Sequence, residues 1–360
     1  MIVIQANNFP QYSIGADAVF EPLFLPPDGN RTRFCIGWSG LGRYTAGTLR
    51  LWRNGVSLAP NVDFIEEDNG MFYKFTTAPT GKLLEYMVSY VPRATDKAFA
   101  TGTDEMFLFP NWLGAVGIGD AFWIGRHAAS RSDASNTAVG TSNVPSSRRS
   151  VVPWCSVDFA TAKSACFAKG TGWHIVQNRE WANIARWCKL LDIYPTGNSA
   201  SGVDGMGVAH APDPTVSGRA LTSTGPTTSS HNLLPSGIYD LVGNVWEWID
   251  GVQLQGGVLW IFDGNNALVT TGINPTFGSS GGAFSYLRTD ANLVNECIPA
   301  TTGESCRGND GFWFSASGVT QLLRGGGWGN GALGGLFTFG VNGAPSGSGT
   351  SVGFRLAKSM

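Results

Sequence analysis

The sequence predicts a β-rich chain in which two helices are set between runs of short strands. Three observations carry this. Up to about residue 92, apolar and polar residues alternate with period two; residues 156–191 switch to a helical period; and from Arg324 onward large apolar residues alternate with glycine.

Taken in order, Thr48-Leu49-Arg50-Leu51-Trp52 alternates between two faces, and Asn54-Gly55 is the dipeptide favoured in tight hairpins. Met71, Tyr73 and Phe75, then Tyr86, Val88 and Tyr90, repeat the period, so a small all-β, sandwich-like module is expected over residues 1–95. Residues 93–103 read as a short link. A second unit, residues 104–360, opens with the aromatic-rich stretch 107–124 and a polar surface excursion at 128–150. Ser156 is placed to cap a helix that runs to Lys169 and stops at Gly170. Asn178 is placed to cap another, whose Trp181, Ile184, Ala185, Cys188 and Leu191 form one core stripe. Residues 196–236 are dense in Gly, Ser, Thr and Pro without a period and read as an irregular insertion; residues 256–318 read as a further insertion of short strands. The last strands are expected at residues 321–328, about 336–341 and 352–357.

The glycine-laden end is not written like a linker, which would be polar and bland throughout. Trp328, Phe337, Phe339, Pro345 and Phe354 punctuate it, so anchors can bury while the small residues between them face outward. Composition narrows the function. Charged residues are 14% of the 360, against about a quarter in typical domains, and the 49 glycines are about twice the usual share. A net charge of −2 with no basic cluster beyond Arg148-Arg149 gives no electrostatic case for nucleic acid. No window approaches the ~20 apolar residues of a membrane span, so no membrane insertion is expected. Met1-Ile2-Val3-Ile4-Gln5 lacks the marks of an export signal. The six cysteines form no CxxC pair and read as buried thiols, with a Cys297–Cys306 bridge as the alternative.

Five motifs occur in order: Trp154-Cys155-Ser156-Val157-Asp158-Phe159-Ala160, Asn178-Arg179-Glu180-Trp181, Tyr239-Asp240-Leu241-Val242-Gly243-Asn244-Val245-Trp246-Glu247-Trp248, Leu323-Arg324-Gly325-Gly326-Gly327-Trp328 and Gly353-Phe354-Arg355. Together they resemble the sulfatase-modifying, formylglycine-generating-enzyme-like branch of the C-type lectin fold, over roughly residues 105–358. The resemblance implies an α+β domain of that fold, with a small sheet and two helices, preceded by the sandwich-like module. Enzymes of that branch carry a reactive cysteine pair shortly after the arginine-glycine-glycine motif. This chain has no cysteine after Cys306, and His127, His174, His210 and His231 show no helical pairing, so no catalytic residues are expected. An oxidoreductase of the formylglycine-generating type and a purely structural tail fibre are the alternatives.

The final segment, about residues 324–357, further resembles the variable regions of retroelement-diversified proteins, among them phage tropism determinants. In that group AAC codons become NNC codons, which encode Gly, Ala, Ser, Leu, Asn and Tyr but never Trp, Lys, Glu, Gln or Met. Gly327, Gly329, Asn330, Ala332, Leu333, Gly340, Gly343, Gly347, Gly349 and Ser351 belong to the permitted set and are the expected variable, ligand-binding positions. Arg324, Trp328, Phe354 and Arg355 are the expected frame. The resemblance implies a host-surface protein or glycan as ligand, a virion tail or appendage as setting, and a homotrimer as assembly. It also maps a structural calcium onto Asp240, Gly243, Val245 and Glu247, whose hard oxygens suit that ion; the alternative is that the two acids simply accept hydrogen bonds in a tight loop. No other cofactor is expected.

Overall fold

A computed structural model describes residues 18–278, 280–307 and 309–360. The amino-terminal residues Met1 to Gln5, and the start of the 1–95 unit with them, lie outside the described residues.

Among the described residues, the first unit forms two small antiparallel sheets. One orders the strands Val19–Pro22, Tyr86–Tyr90, Arg50–Arg53 and Val56–Ser57; the other orders Arg33–Cys35, Phe72–Phe75 and Phe64–Glu66. Asn54 and Gly55 turn the hairpin with φ of 49° and 83°, the left-handed pair that lets a two-residue loop follow the strand twist. Leu51 and Val88 of the first sheet and Phe34, Phe64 and Tyr73 of the second are buried, and Phe75 meets Tyr86 edge-on at 5.9 Å between centroids. Two sheets closing over one aromatic core give the sandwich-like module that the alternation predicts.

The stretch read as a link holds a helix, α1 (Ala94–Ala100). It is too short to show a helical period in sequence, and it is pinned from outside by Arg43, whose Nε donates to Asp96 at 2.8 Å. Beyond it, a four-stranded antiparallel sheet orders Trp173–Ile175, Leu356–Ser359, Ala121–Gly125 and Met106–Pro110, so the end of the chain lies inside a sheet whose other strands come much earlier. Helix α2 (Phe159–Phe167) is capped by Asp158, whose Oδ1 accepts from Thr161 N at 2.7 Å, and not by Ser156, which takes φ 56° in the loop before it. Helix α3 (Asn178–Leu190) starts one residue earlier than its expected cap allows. Gln177 is the N-cap and Glu180 folds back to accept from Gln177 N at 2.8 Å, which frees the Asn178 side chain for other work.

The expected stripe of α3 is in the core, but so is its opposite flank: Ala182, Asn183 and Trp187 are buried too. The first unit covers part of that flank, and Trp112 and Leu113 meet Asn183. Trp187 stacks on Phe24 at 4.9 Å and donates from Nε1 to the Phe24 carbonyl at 2.8 Å.

The largest sheet has eight strands. Its path runs Leu268–Thr270, Val258–Phe262, Trp246–Gln255, Val319–Arg324, Phe339–Gly343, Gly311–Phe314 and Gly282–Ala283, and Val352–Phe354 pairs in parallel with the start of Trp246–Gln255. Residues 256–318 are therefore no mere insertion, since they supply four of these strands. Residues 196–236 are irregular as expected, and buried polar groups tie them down, among them Asp213 to Arg219 Nε at 2.6 Å. No helix among the described residues is long and apolar enough to cross a membrane.

Candidate functional site: a glycine-rich face on a locked frame

The turn Tyr239–Glu247 sets the site. Asp240, Gly243 and Asn244 take φ of 57°, 69° and 60° in succession, bending the chain tightly enough that a Cβ on Gly243 would stand 2.2 Å from the Asn198 carbonyl oxygen. Asn244 braces the bend: its Oδ1 accepts from Ala220 N at 2.8 Å and its Nδ2 donates to the Ala220 carbonyl at 3.1 Å. The chain then enters the central strand, where Glu247 is fully buried.

Glu247 meets Arg355. Its two oxygens receive Arg355 Nη2 at 2.6 Å and Nε at 2.9 Å, and the guanidinium also donates to the Gly125 and Tyr239 carbonyls at 2.9 and 2.8 Å. Burial pushes the Glu247 carboxyl up, opposed by the attraction of Arg355. At the other end of the glycine-rich segment, Arg324 is equally buried. It donates to Asn178 Oδ1 at 2.7 Å and to the carbonyls of Phe337, Glu296 and Cys297 at 3.1, 3.1 and 3.2 Å. Burial among carbonyls and an amide, with no direct carboxylate partner, pulls this guanidinium down to about 10.

Between these two arginines the backbone is fastened from behind. Trp328 N donates to the Asn244 carbonyl, Gly331 N to Ser199 and Trp181 Nε1 to Leu336, while the Pro345 and Gly349 carbonyls accept from Phe159 N and Ser156 N. Phe354 is buried with its ring edge-on to Trp154 at 5.4 Å, and Trp328 is partly exposed against Ala128, Cys155 and Val245.

The expected variable positions divide in three. Gly329 and Ala332 are exposed, and a Cβ on Gly329 would meet nothing within 4 Å. Asn330, Leu333, Gly343, Gly347, Gly349 and Ser351 are partly exposed, although Asn330 has a task of its own, its Oδ1 accepting from Gly327 N at 2.7 Å. Gly327 and Gly340 are buried, contrary to the outward placement expected of them. Trp246 is the reason: a Cβ on Gly327 would stand 3.2 Å from its Cδ1, and one on Gly340 3.1 Å from its Cζ3.

The four residues assigned to calcium do not form a cage for it. Both Glu247 oxygens are taken by Arg355, and Asp240 Oδ2 accepts from Ser223 N and Oγ at 2.7 and 3.1 Å. Gly243 and Val245 belong to the turn between them. Both acids accept hydrogen bonds at this turn.

Residues 103–360 match the family model of the Sulfatase-modifying factor enzyme 1-like domain. The chain belongs to that family. No curated protein matches it. Among solved structures it is similar to PvdO from Pseudomonas aeruginosa, with 14% identity, 71% of this chain and 95% of that chain covered and a TM-score of 0.35. It is also similar to Treponema denticola variable protein 1, with 16% identity, 71% and 95% covered and a TM-score of 0.32. For the Major Tropism Determinant P3c variant the identity is 15%, 68% of this chain and 51% of that chain are covered, and the TM-score is 0.31. The chain thus spans about half the length of the tropism determinant.

Within this sulfatase-modifying-factor domain Cys155, Cys166, Cys188 and Cys297 are buried, and burial pushes the Cys155 thiol up to about 12. His231 is buried and held neutral, pulled down to about 3 by burial, with Nδ1 accepting from Ile238 N at 2.9 Å. His174 Nε2 faces Glu180 at 2.9 Å. Among the described residues, no three His, Cys, Asp or Glu side chains gather in a way that could hold a metal.

Two residues of this domain escaped the sequence reading. Asn178, taken for a cap, joins α3 to Arg324. Trp313, in a stretch taken for an insertion, stands beside Trp246 with centroids 5.1 Å apart. The run Gly311-Phe312-Trp313-Phe314 was the available signal for it, an aromatic strand in a glycine-rich surrounding.

Proposed function

We propose that this chain is a ligand-binding protein whose carboxyl-terminal face, about residues 324–357, is the recognition surface and carries residues diversified by a retroelement. The observation that supports it best is the division of labour in that segment. Arg324 and Arg355 lock its ends in the core, backbone hydrogen bonds hold its middle, and the exposed or partly exposed positions Gly329, Ala332, Leu333, Gly343, Gly347, Gly349 and Ser351 contribute no side-chain hydrogen bond or ion pair to the fold. Residues can be exchanged freely only where the backbone is held by something else.

In this reading the protein is a tropism determinant on a phage or prophage tail, the first unit is its attachment or spacer module, and a host-surface molecule is its ligand. A face this rich in glycine offers little contact area per copy, so tight attachment rests on several copies acting together, as in a homotrimer. The protein acts by binding and not by catalysis, consistent with the buried, protonated thiols and the absence of cysteine after Cys306.

The test is display on intact host cells. Replacing Gly329 or Ala332 with tyrosine should change which cells are bound while leaving the melting temperature in place. Unchanged binding with both variants would favour a purely structural fibre, and oxygen consumption with copper and a cysteine peptide would favour the oxidoreductase.

A further inference from the structure

We propose that Trp246 and Trp313 form a stacking platform for an uncharged pyranose ring, so that the ligand class of the carboxyl-terminal face is a neutral glycan. This rests on the reading of that face as the recognition surface. The two half-buried indoles meet edge to face, at 5.1 Å and 87°. That geometry leaves flat ring surface available for a ligand instead of closing the two rings on each other.

Glycines seat one side of the rings, and the rest of each indole stays half-exposed. Gly327 and Gly340 lie against Trp246, and Gly281 and Gly311 lie against Trp313; a Cβ on Gly311 would fall 2.3 Å from the Trp313 ring. Glycine at all four positions lets the backbone close under the indoles, where any Cβ would push them out of place.

The electrostatics select the ligand. No charged residue stands between Arg324 and Arg355, and both of these arginines are buried with their donors occupied by Asn178, Glu247 and backbone carbonyls. An ionic ligand therefore meets no counter-charge on this segment. The rim is instead neutral and hydrogen-bonding: Asn342 is exposed two residues beyond Gly340, and partly exposed Ser351 accepts from Trp246 N through its carbonyl at 2.8 Å. The apolar C–H face of a pyranose packs on an indole, and its equatorial hydroxyls reach outward to such a rim. A protein ligand would call for projecting aromatic or arginine anchors, and the glycines of this copy supply none.

The experiment is affinity electrophoresis of the full chain in gels cast with neutral polysaccharides (mannan, galactan and β-glucan) or with an anionic one (polygalacturonate). The expected result is retardation by at least one neutral polysaccharide, weakened at least ten-fold in Trp313→Ala and largely restored in Trp313→Tyr, with the melting temperature of both variants near that of the parent. Retardation by the anionic polymer alone, equal retardation of parent and Trp313→Ala, or no retardation by any neutral polymer overturns the glycan assignment. Binding of the Gly329→Tyr variant to intact cells is read separately, so the recognition face itself stands or falls on its own result.

Discussion

Arg355 and Glu247 form a two-bond ion pair, 2.6 and 2.9 Å long, in which both side chains are fully buried. It joins the strand after the Tyr239 turn to the link between the last two strands of the chain, and so closes the carboxyl-terminal face from beneath. Removing one partner leaves the other charge buried alone. Arg355→Leu should cost about 3–5 kcal/mol in a urea titration, whereas the double variant Arg355→Met/Glu247→Leu should recover much of that loss. A single variant that unfolds like the parent would show the pair to be dispensable.

His231 gives the fold a pH signature. Its depressed value means that the folded chain keeps the imidazole neutral while the unfolded chain takes up a proton below about pH 6.5, so stability is present above that pH and falls as pH drops. His231→Asn keeps an acceptor for Ile238 N but cannot titrate. The stability advantage of the parent over this variant should shrink by ~1.4 kcal/mol per pH unit between pH 6.5 and 5. His127 and His174 titrate in both proteins and drop out of the difference; an advantage constant over that range would refute the assignment.

Two glycines of the same segment should behave oppositely. Gly329→Tyr enters open space and should alter stability by less than about 0.5 kcal/mol. Gly340→Tyr brings a Cβ to 3.1 Å from Trp246 and forces that ring aside, at a cost of about 1–3 kcal/mol with a change in tryptophan emission. Equal tolerance at both sites would mean that burial does not divide the segment.

Chelation should leave the thermal midpoint unmoved, because Glu247 is satisfied by Arg355 and Asp240 by Ser223. A lowered midpoint with EDTA, reversed by added calcium, would restore the ion to that turn.

Much of the architecture is readable from local signals. The Asn54-Gly55 hairpin, the alternating strands on either side of it and the apolar stripe of α3 depend on neighbours in sequence, and each appears where its pattern puts it. Helix α1 is invisible because seven residues carry too little period, and the cap of α2 moves to Asp158 because the loop fixes Ser156 at positive φ. The candidate site was legible as a segment but not as a surface. Whether Gly327 and Gly340 face solvent depends on Trp246, and whether α3 has a free flank depends on Trp187 meeting Phe24; both contacts join residues far apart in the chain.

If the outward residues between Arg324 and Arg355 are replaceable on a fixed frame, sequencing the corresponding gene segment from many isolates should find NNC codons and substitutions gathered at Gly329, Ala332, Leu333, Gly343, Gly347, Gly349 and Ser351, with Gly327 and Gly340 kept small and Arg324, Trp328, Phe354 and Arg355 constant. Substitutions spread evenly over frame and face, or non-NNC codons at the outward positions, would contradict this reading.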